Sequence, residues 1–395
     1  MVTPSRQPNI SFGLSRSDAL HPKLVTARIS HDQLLKACFG NNEESRRAFE
    51  TCVALESGGI DAATRRLLPV LYRRWGALAR NSLIELGQRA YITTWQQNRE
   101  RMAQIGSVLL ELEKAGIECM LLKGAALTLR HYRDYGLRNM GDFDLLIHED
   151  DIERAVRLLL QNGWMAEEDY SIEAIRRQSR VRHAWQFFWS DRQNCDLHWR
   201  PLSRCYSPQV TEMFWRGSEI VELGGHPVRI PCPADQLFHV CVHAMHWEWT
   251  PNLYWVADAL TVLRDAELDW DRAAALAVGA NMHMRFTQAL AILESEFHAV
   301  VPKHLLGGKV PSWERREYFL MQKPCPLGVF DSVAWHVYHF RRLRPFDTQW
   351  REMPAWRGFA QYLAAFLDAL TWRALLAKVW AQVKLREGER SLFRF

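Results

Sequence analysis

The sequence predicts an α+β protein in which short strands lie between two helical regions. From residue 30 to residue 115, apolar residues recur at the 3.6-residue spacing of amphipathic helices. Between residues 117 and 230 the pattern changes to short apolar runs of strand length, several of them bounded by glycines. After Pro231 and Pro233 the helical spacing returns. At 395 residues, the chain is long enough for two or three compact units.

We expect five segments along the chain. Residues 1–29 are rich in Pro, Ser and Asn without periodicity, which is typical of a disordered lead-in. They precede a helical domain at 30–110 and a core of strands and helices at 111–232. A second helical domain follows at 233–330, and a basic, aromatic helical tail at 331–395 ends the sequence.

The first helical domain is predicted to contain four helices, the last of which ends at Gly116. They begin with a helix starting at His31 and continue with Glu43–Leu55, Thr64–Ala79 and Asn81–Ala115. In the core, two further helices are predicted at residues 124–133 and Glu149–Asn162. The predicted strands are Ile117–Leu122, Phe143–Ile147, Trp164–Glu167, Ala184–Trp189, Cys195–Arg200, Glu219–Leu223 and Val228–Ile230. The last two flank Gly224-Gly225 and predict a hairpin.

Helical spacing predicts further helices at Ala234–Trp247, Tyr254–Asp265, Asp271–Ala280 and in a run ending near Val300. The first of them carries His239, His243 and His246 on one face, a spacing that zinc ligands also use. Because no Glu follows His239 as in H-E-x-x-H, we favour helix packing over zinc binding. Asp258 lies among apolar residues, so we expect it to pair with an arginine or with one of these histidines.

The charge of the chain is concentrated near its end. Lys and Arg total 50 against 45 Asp and Glu, and residues 341–395 alone hold 11 basic and 5 acidic residues. The rest of the chain is therefore close to neutral. This balance argues against long nucleic acid as a partner, because such a partner requires basic residues along the binding face.

The cysteines and the hydropathy pattern indicate the compartment. Eight cysteines are present and none forms a C-x-x-C pair, so neither a disulfide framework nor a zinc ribbon is indicated. No apolar stretch of signal-peptide type and no membrane-spanning run is apparent. We therefore expect a cytoplasmic location without a membrane partner.

Two acidic strands carry the most informative chemistry. Asp142 and Asp144 lie two residues apart at the start of a strand and point to the same face, while Phe143, Leu145 and Ile147 point into the core. Carboxylates this close repel each other unless a cation lies between them, and Mg²⁺ prefers carboxylates together with substrate phosphates. The pair therefore predicts a divalent-ion site.

The second acidic strand contains Asp196, His198 and Arg200 on one face and Leu197 and Trp199 on the other. If the two strands are neighbours, Asp196 completes a three-carboxylate site with the first pair. For His198, a structural role next to these acids is an alternative to a role in the site.

At these positions the chain resembles the DNA polymerase beta type nucleotidyltransferase superfamily. It is more closely similar to a largely uncharacterised nucleotidyltransferase family within it. The resemblance covers about residues 100–280 and rests on an ordered set of motifs, namely LLKGAAL (121–127), Arg138, GDFDLLI (141–147), DLHWR (196–200) and VHAMHWEW (242–249). It implies a mixed-sheet core that transfers a nucleoside monophosphate from an NTP and releases pyrophosphate, with Mg²⁺ or Mn²⁺ as cofactor.

The resemblance also implies residue roles. Asp142, Asp144 and Asp196 would be the catalytic residues and the metal ligands. The expected nucleotide-binding residues are Lys123, Gly124, Arg138, Gly141 and His198. Many superfamily members have a serine after the glycine of the first motif, whereas this chain has Ala125, so Lys123 and Arg138 would supply the phosphate contacts.

The resemblance leaves the acceptor open. Members of the family are often encoded near genes for ribosomally made peptide natural products, so the resemblance implies a peptide or small-molecule acceptor as easily as tRNA. An alternative is a non-catalytic nucleotide- or peptide-binding protein that retains the fold. In the tail, Phe359–Leu385 has an apolar stripe, which we expect to pack on the protein's own helices and not on an anionic membrane.

Overall fold

The computed structural model describes residues 29–55, 60–166, 172–190, 193–244, 254–308, 310–321 and 329–367, together with residues 369, 371 and 373. Almost all of the predicted lead-in, His246, and the end of the predicted tail helix lie outside these residues. Within the described residues, no helix is long and apolar enough to cross a membrane.

The described helices are α1 (His31–Phe39), α2 (Asn42–Ala54), α3 (Ala62–Trp75), α4 (Ser82–Lys114), α5 (Lys123–Leu127), α6 (Ile152–Gln161), α7 (Ile172–Ser179), α8 (Pro208–Arg216), α9 (Pro233–Ala244), α10 (Tyr254–Asp265), α11 (Trp270–Gly279), α12 (His283–Phe297), α13 (Ser312–Met321), α14 (Val329–Leu343), α15 (Thr348–Glu352) and α16 (Ala355–Phe366). A π-helical turn, Thr128–Tyr132, extends α5, and short 3₁₀ turns cover Glu149–Asp151 and Lys303–Leu306. Several helices begin where a polar side chain accepts a hydrogen bond from the first turn, as Asp61 does for α3 and Asn81 for α4.

The strands form one seven-stranded mixed sheet, which confirms the predicted α+β class. They are β1 (Cys119–Leu122), β2 (Phe143–Ile147), β3 (Met165–Ala166), β4 (Ala184–Ser190), β5 (Gln193–His198), β6 (Glu219–Leu223) and β7 (His226–Ile230). Their spatial order is β3-β4-β5-β2-β1-β7-β6. The pairs β2–β5 and β1–β7 are parallel, and the other pairs are antiparallel.

Most of the elements agree with the sequence prediction, and β2, β6 and α10 have the predicted bounds. The prediction did not include α7 or α8. It also did not foresee that β7 joins the hairpin β6–β7 to the main sheet by pairing with β1. That pairing depends on a contact between residues more than 100 positions apart, which local periodicity does not encode.

Two hydrophobic cores organise the fold. One joins buried residues of α1 and α3, such as Leu34 and Leu67, to residues of α9–α12 such as Phe238 and Leu290. The other lies between the sheet, α6 and the second half of α4. The 33-residue helix α4 contributes to both, with Leu83 in the first core and Leu112 in the second. It therefore fixes the sheet relative to the surrounding helices.

The first part of the predicted tail stripe is buried. Tyr362 on α16 has no exposed surface and packs against Phe340 on α14 and Trp350 on α15. Phe359 and Phe366 lie at the edge of the same cluster. Packing on the protein's own helices is thus confirmed for this part of the tail.

Candidate active site

The two acidic strands are neighbours at the centre of the sheet. Parallel pairing of β2 with β5 sets Asp144 opposite Asp196 and Leu146 opposite His198. The alternating residues Phe143, Leu145 and Leu197 are buried in the core on the other face, as the sequence predicts. The register therefore places Asp144, Asp196 and His198 on one face of the sheet.

Asp144 is almost fully buried and has two nitrogen partners. Lys123 Nζ lies 2.6 Å from Asp144 Oδ1, and His198 donates from Nε2 to the same oxygen at 3.0 Å. Although burial acts to raise the pKa of Asp144, Lys123 and His198 hold it well below its ordinary value. The same ion pair raises the pKa of Lys123 despite its burial. Asp144 is therefore ionised throughout the physiological range.

Asp196 has a different environment. Its neighbour on β4 is Gln186, which hydrogen-bonds to it, whereas its Oδ1 is buried without a partner. Burial and the adjacent Asp144 charge raise the pKa of Asp196 to about 7. An unpartnered carboxylate oxygen next to a second carboxylate is a position that favours a cation or a proton.

Among the described residues, one group has the spacing of a metal site. It consists of Asp144, Asp196 and His198, whose ligand atoms all lie within 4.8 Å of one another. Asp142 is not in this group; it precedes β2 and lines the adjacent cavity. Burial and the Asp144 charge raise the pKa of Asp142 above its ordinary value. The group therefore contains two of the three expected carboxylates together with an imidazole, and Asp142 lies beside it.

The turn between β1 and α5 brings Lys123 to this face. Its backbone is left-handed, with φ of 46°, so the side chain turns back toward Asp144. At the next residue, a Cβ on Gly124 would overlap the guanidinium of Arg138 and approach Met140. Gly124 is therefore required for this close packing.

Arg138 is committed to a buried ion pair. Its Nε and Nη2 bind the two carboxylate oxygens of Asp258 at 2.8 and 2.9 Å, and its guanidinium lies over the ring of Tyr254. Tyr132 donates a further hydrogen bond to Asp258. The expected pairing of Asp258 with an arginine is thus confirmed. Only 14% of the Arg138 side chain is exposed. Its guanidinium is therefore used mainly in the ion pair with Asp258, which joins the core to α10.

Two residues of α4 hold the connection that leads into β2. Asn98 donates from Nδ2 to the carbonyl oxygens of Tyr135 and Arg138, at 2.7 and 2.6 Å. Arg101 donates to the carbonyl oxygens of Met140 and Gly141. The sequence pattern did not predict either residue, because both lie in a run of polar residues on a long amphipathic helix. At Gly141 a Cβ would meet no atom within 4 Å, so the backbone there has open space beside it.

A cavity of about 750 Å³ extends from this acidic face. Lys123, Asp142, Asp196 and His198 line one part of it, together with His183. Burial, with the Lys123 charge among the lesser causes, holds the pKa values of the His183 and His198 rings below their ordinary range, so both rings are neutral.

The helix α9 borders the same cavity. His239 and His243 line it, so the two described histidines of the predicted triplet face the acidic site. Burial is the main reason that the pKa of His239 lies well below its ordinary value. Within the described residues neither belongs to a group with metal-site spacing.

Comparison with solved structures finds similar nucleotidyltransferases at low identity. The solution structure of the antibiotic-resistance factor ANT(2'')-Ia is 14% identical, covering 51% of this chain and 98% of that chain, with a TM-score of 0.33. The crystal structure of ANT(2'')-Ia in complex with adenylyl-2''-tobramycin is 13% identical (47% and 99%; TM-score 0.32). An antigenic nucleotidyltransferase-like protein from Paracoccidioides brasiliensis is 16% identical (52% and 96%; TM-score 0.34).

Curated proteins give no match to this sequence. A family model described as "uncharacterised nucleotidyltransferase" matches residues 62–298, which span the strands β1–β7 and the helices α3–α12. This range is more than half of the chain and contains every residue of the acidic face. The protein therefore belongs to this nucleotidyltransferase family.

Proposed function

We propose that the protein transfers a nucleoside monophosphate from an NTP to a hydroxyl group of a small-molecule or peptide acceptor, with Asp144, Asp196 and His198 at the reaction centre. The observation that carries this proposal is the in-register pairing of β2 with β5. It brings three ligand atoms of metal-binding type within 4.8 Å of one another.

The donor set fits a divalent ion. Asp196 Oδ1 is buried without a partner, and the adjacent Asp144 is ionised, so a cation there would relieve the repulsion between them. Mg²⁺ or Mn²⁺ bound by Asp144 and Asp196 would stabilise negative charge on the phosphate oxygens as the bond to pyrophosphate breaks. Asp142, which lines the cavity beside this pair, is the expected third carboxylate.

The side chains around the ion site have complementary roles in this proposal. The acceptor oxygen attacks the α-phosphorus, the proton of the acceptor hydroxyl goes to Asp196, and pyrophosphate leaves. Lys123 neutralises Asp144 in the absence of nucleotide and binds a phosphate oxygen in its presence. His198 donates to Asp144 and keeps that carboxylate oriented.

The other expected nucleotide-binding residues contribute in different ways. Gly141 leaves open space beside the backbone just before Asp142, where a nucleotide can approach. Gly124 and Arg138 support the site by packing against each other behind Lys123. In this proposal Arg138 acts on the nucleotide only through the position of Lys123.

The cavity favours a compact acceptor. Its volume of about 750 Å³ lies within the range of roughly 300–1,000 Å³ that is usual for small-molecule sites. A small metabolite or the end of a peptide fits this space. Long nucleic acid would need an open basic groove, whereas the charged groups near the acidic face are largely paired.

The proposal is tested with α-³²P-labelled NTPs and fractionated peptide and small-molecule acceptors. We expect label in a new product when Mg²⁺ is present, no label with EDTA, and no label with Asp144→Asn. Label transfer that persists in Asp144→Asn would contradict the assigned centre. A wild-type protein that binds no NTP with Mg²⁺ would contradict the proposed activity.

One observation favours a non-catalytic binding protein as the second candidate. Asp144 Oδ1 already has Lys123 and His198 as partners, so this carboxylate is satisfied without an ion. Isothermal titration separates the two candidates. In the binding-protein case, NTP affinity would be independent of Mg²⁺, whereas the proposed transferase requires Mg²⁺ for tight NTP binding.

A further inference from the structure

A cluster of buried charges lies at the part of the cavity formed by α12, α13 and α14. It contains Arg204, Arg285 and Arg342 around the carboxylate of Glu317, and each of these side chains is 3% exposed or less. Arg204 and Arg285 also line the cavity, which extends from here to Asp196. This cluster is separate from the acidic face, because no ion pair joins it to Asp142, Asp144 or Asp196 among the described residues.

Two of the three arginines are satisfied. Arg342 binds both oxygens of Glu317, from Nε at 2.9 and 3.0 Å and from Nη2 at 2.5 Å, and it donates to two carbonyl oxygens at the end of α11. Arg204 donates to Glu317 at 3.0 Å. Together they hold the pKa of Glu317 well below its ordinary value, although burial acts to raise it. Glu317 is therefore fully used by these two partners.

Arg285 is different. The closest approach of its Nη2 to Glu317 is 4.0 Å, which is too long for a hydrogen bond, and Nη2 is buried without a partner. Burial, together with the like charges of Arg204 and Arg342, lowers the pKa of Arg285 to about 9. A buried guanidinium nitrogen without an acceptor is costly. An anion at this position would remove that cost.

Aromatic residues adjoin the cluster. Arg204 lies over the ring of Trp335 at 4.9 Å, and Trp335 contacts Phe366 and His339 edge to face. All of these residues line the cavity. This end of the cavity therefore combines a guanidinium nitrogen that lacks an acceptor with apolar walls, which is the arrangement that binds an anion attached to an apolar or aromatic group.

We propose that this end of the cavity binds an anionic group of the acceptor, a carboxylate or a phosphate, through Arg285. The aromatic walls contact the apolar part of the same molecule. The acceptor hydroxyl is thereby directed along the cavity toward Asp196. This assignment of the ligand as acceptor rests on the proposed function, whereas binding of the anion does not.

The test uses the full-length protein and defined probes. Phenylacetate and phenyl phosphate represent the two anions, and phenylacetamide and phenethylamine are matched neutral and cationic controls. Isothermal titration should show binding of at least one anion and of neither control. In Arg285→Gln the affinity for that anion should fall about tenfold or more, as expected for a charge-assisted hydrogen bond. Whichever anion binds more tightly identifies the group.

A nucleotide titration separates this site from the reaction centre. Binding of α,β-methylene-ATP with Mg²⁺ should be unchanged in Arg285→Gln and lost in Asp144→Asn. If Arg285→Gln weakens nucleotide binding as much as anion binding, the site belongs to the nucleotide phosphates and the acceptor assignment is wrong. If the wild type binds the anion through Arg285 but no nucleotide, the proposed function fails and the anion site stands.

The proposal can be contradicted even if the Arg285 variants do not fold, because the titrations of the wild-type protein need no variant. Binding of phenylacetamide or phenethylamine as tightly as of the anions would overturn it, and so would the absence of anion binding. Arg285→Lys provides a conservative comparison, since it keeps a cation with a different geometry. It should retain part of the anion affinity that Arg285→Gln loses.

Discussion

Asp144 and Asp196 are directly paired residues of adjacent parallel strands, yet their carboxylates have opposite environments. Asp144 Oδ1 binds Lys123 and His198, whereas Asp196 Oδ1 is buried without a partner. The pKa of Asp144 is consequently lowered, and burial together with the Asp144 charge raises that of Asp196. One carboxylate is thus held ionised while its neighbour readily takes a proton or a cation.

The first prediction concerns the connection that precedes β2. Asn98→Ala removes two hydrogen bonds to the partly buried carbonyl groups of Tyr135 and Arg138, and should lower the free energy of unfolding by about 1–3 kcal/mol. Gln97→Ala on the same helix is the control, since Gln97 is exposed and accepts a hydrogen bond from the Asn139 side chain. Urea unfolding of both variants measures the difference. Equal stability of the two would contradict the role of Asn98.

A pair of glycines in the motifs should respond differently to the same change. Gly124→Ala places a Cβ against Arg138 and Met140, so we expect a loss of about 1–3 kcal/mol in the free energy of unfolding. Gly141→Ala meets no atom within 4 Å and has no left-handed backbone, so its stability should be unchanged or slightly higher. Thermal or urea unfolding of the two variants and the wild type measures these changes in stability. A stable Gly124→Ala protein would show that Arg138 packs elsewhere.

The tail helix α16 offers a test of packing against surface binding. Tyr362→Ala should cost about 3–5 kcal/mol, because Tyr362 is fully buried and hydrogen-bonds His336 and His339. Trp356→Ala, on the same helix, should have little effect because 75% of Trp356 is exposed. Unfolding experiments without lipid measure both. If Tyr362→Ala is as stable as Trp356→Ala, α16 does not pack as described.

Buried neutral histidines predict a pH dependence of stability. The pKa of His239 is lowered in the folded state, chiefly by burial, while in the unfolded state it is about 6.5. The contribution of neutral His239 to the free energy of unfolding is therefore fully present above pH 6.5. It is lost as the pH falls below 6.5, because His239 then binds a proton in the unfolded chain but not in the folded protein. His239→Gln should reduce the slope of the free energy of unfolding against pH, between pH 6 and 5, by up to about 1.4 kcal/mol per pH unit.

Urea unfolding between pH 8 and pH 5 measures that slope in both proteins. Above pH 7 the slopes of the variant and the wild type should agree, since the histidine is neutral in both states there. A variant with the wild-type slope below pH 6 would mean that His239 is protonated in the folded protein.

The sequence predicted which residues share the acidic face because they lie in two compact motifs. The alternation around Asp144 and Asp196 fixed which side chains share a face, and both strands were identified. The place of His198 beside the two carboxylates follows from the same alternation. The pairing of β2 with β5, which forms the acidic face, could not be predicted from the sequence.

The residues that support the site could not be predicted from local pattern. Arg138 was expected to contact phosphate, but most of its charge is used by Asp258, 120 positions away. Asn98 and Arg285 lie on amphipathic helices among other polar residues, from which the sequence pattern does not distinguish them. Their partners, or the lack of a partner, depend on how the helices pack around the sheet, and this is decided by tertiary contacts.

The central claim is that Asp144 and its neighbours bind a divalent ion together with an NTP. Electron paramagnetic resonance of Mn²⁺, titrated with α,β-methylene-ATP, tests it most directly. We predict that the wild type and Asp150→Asn, an exposed control, bind Mn²⁺ with the nucleotide, and that folded Asp144→Asn binds it at least about tenfold more weakly. Wild-type Mn²⁺ affinity in folded Asp144→Asn would contradict the account.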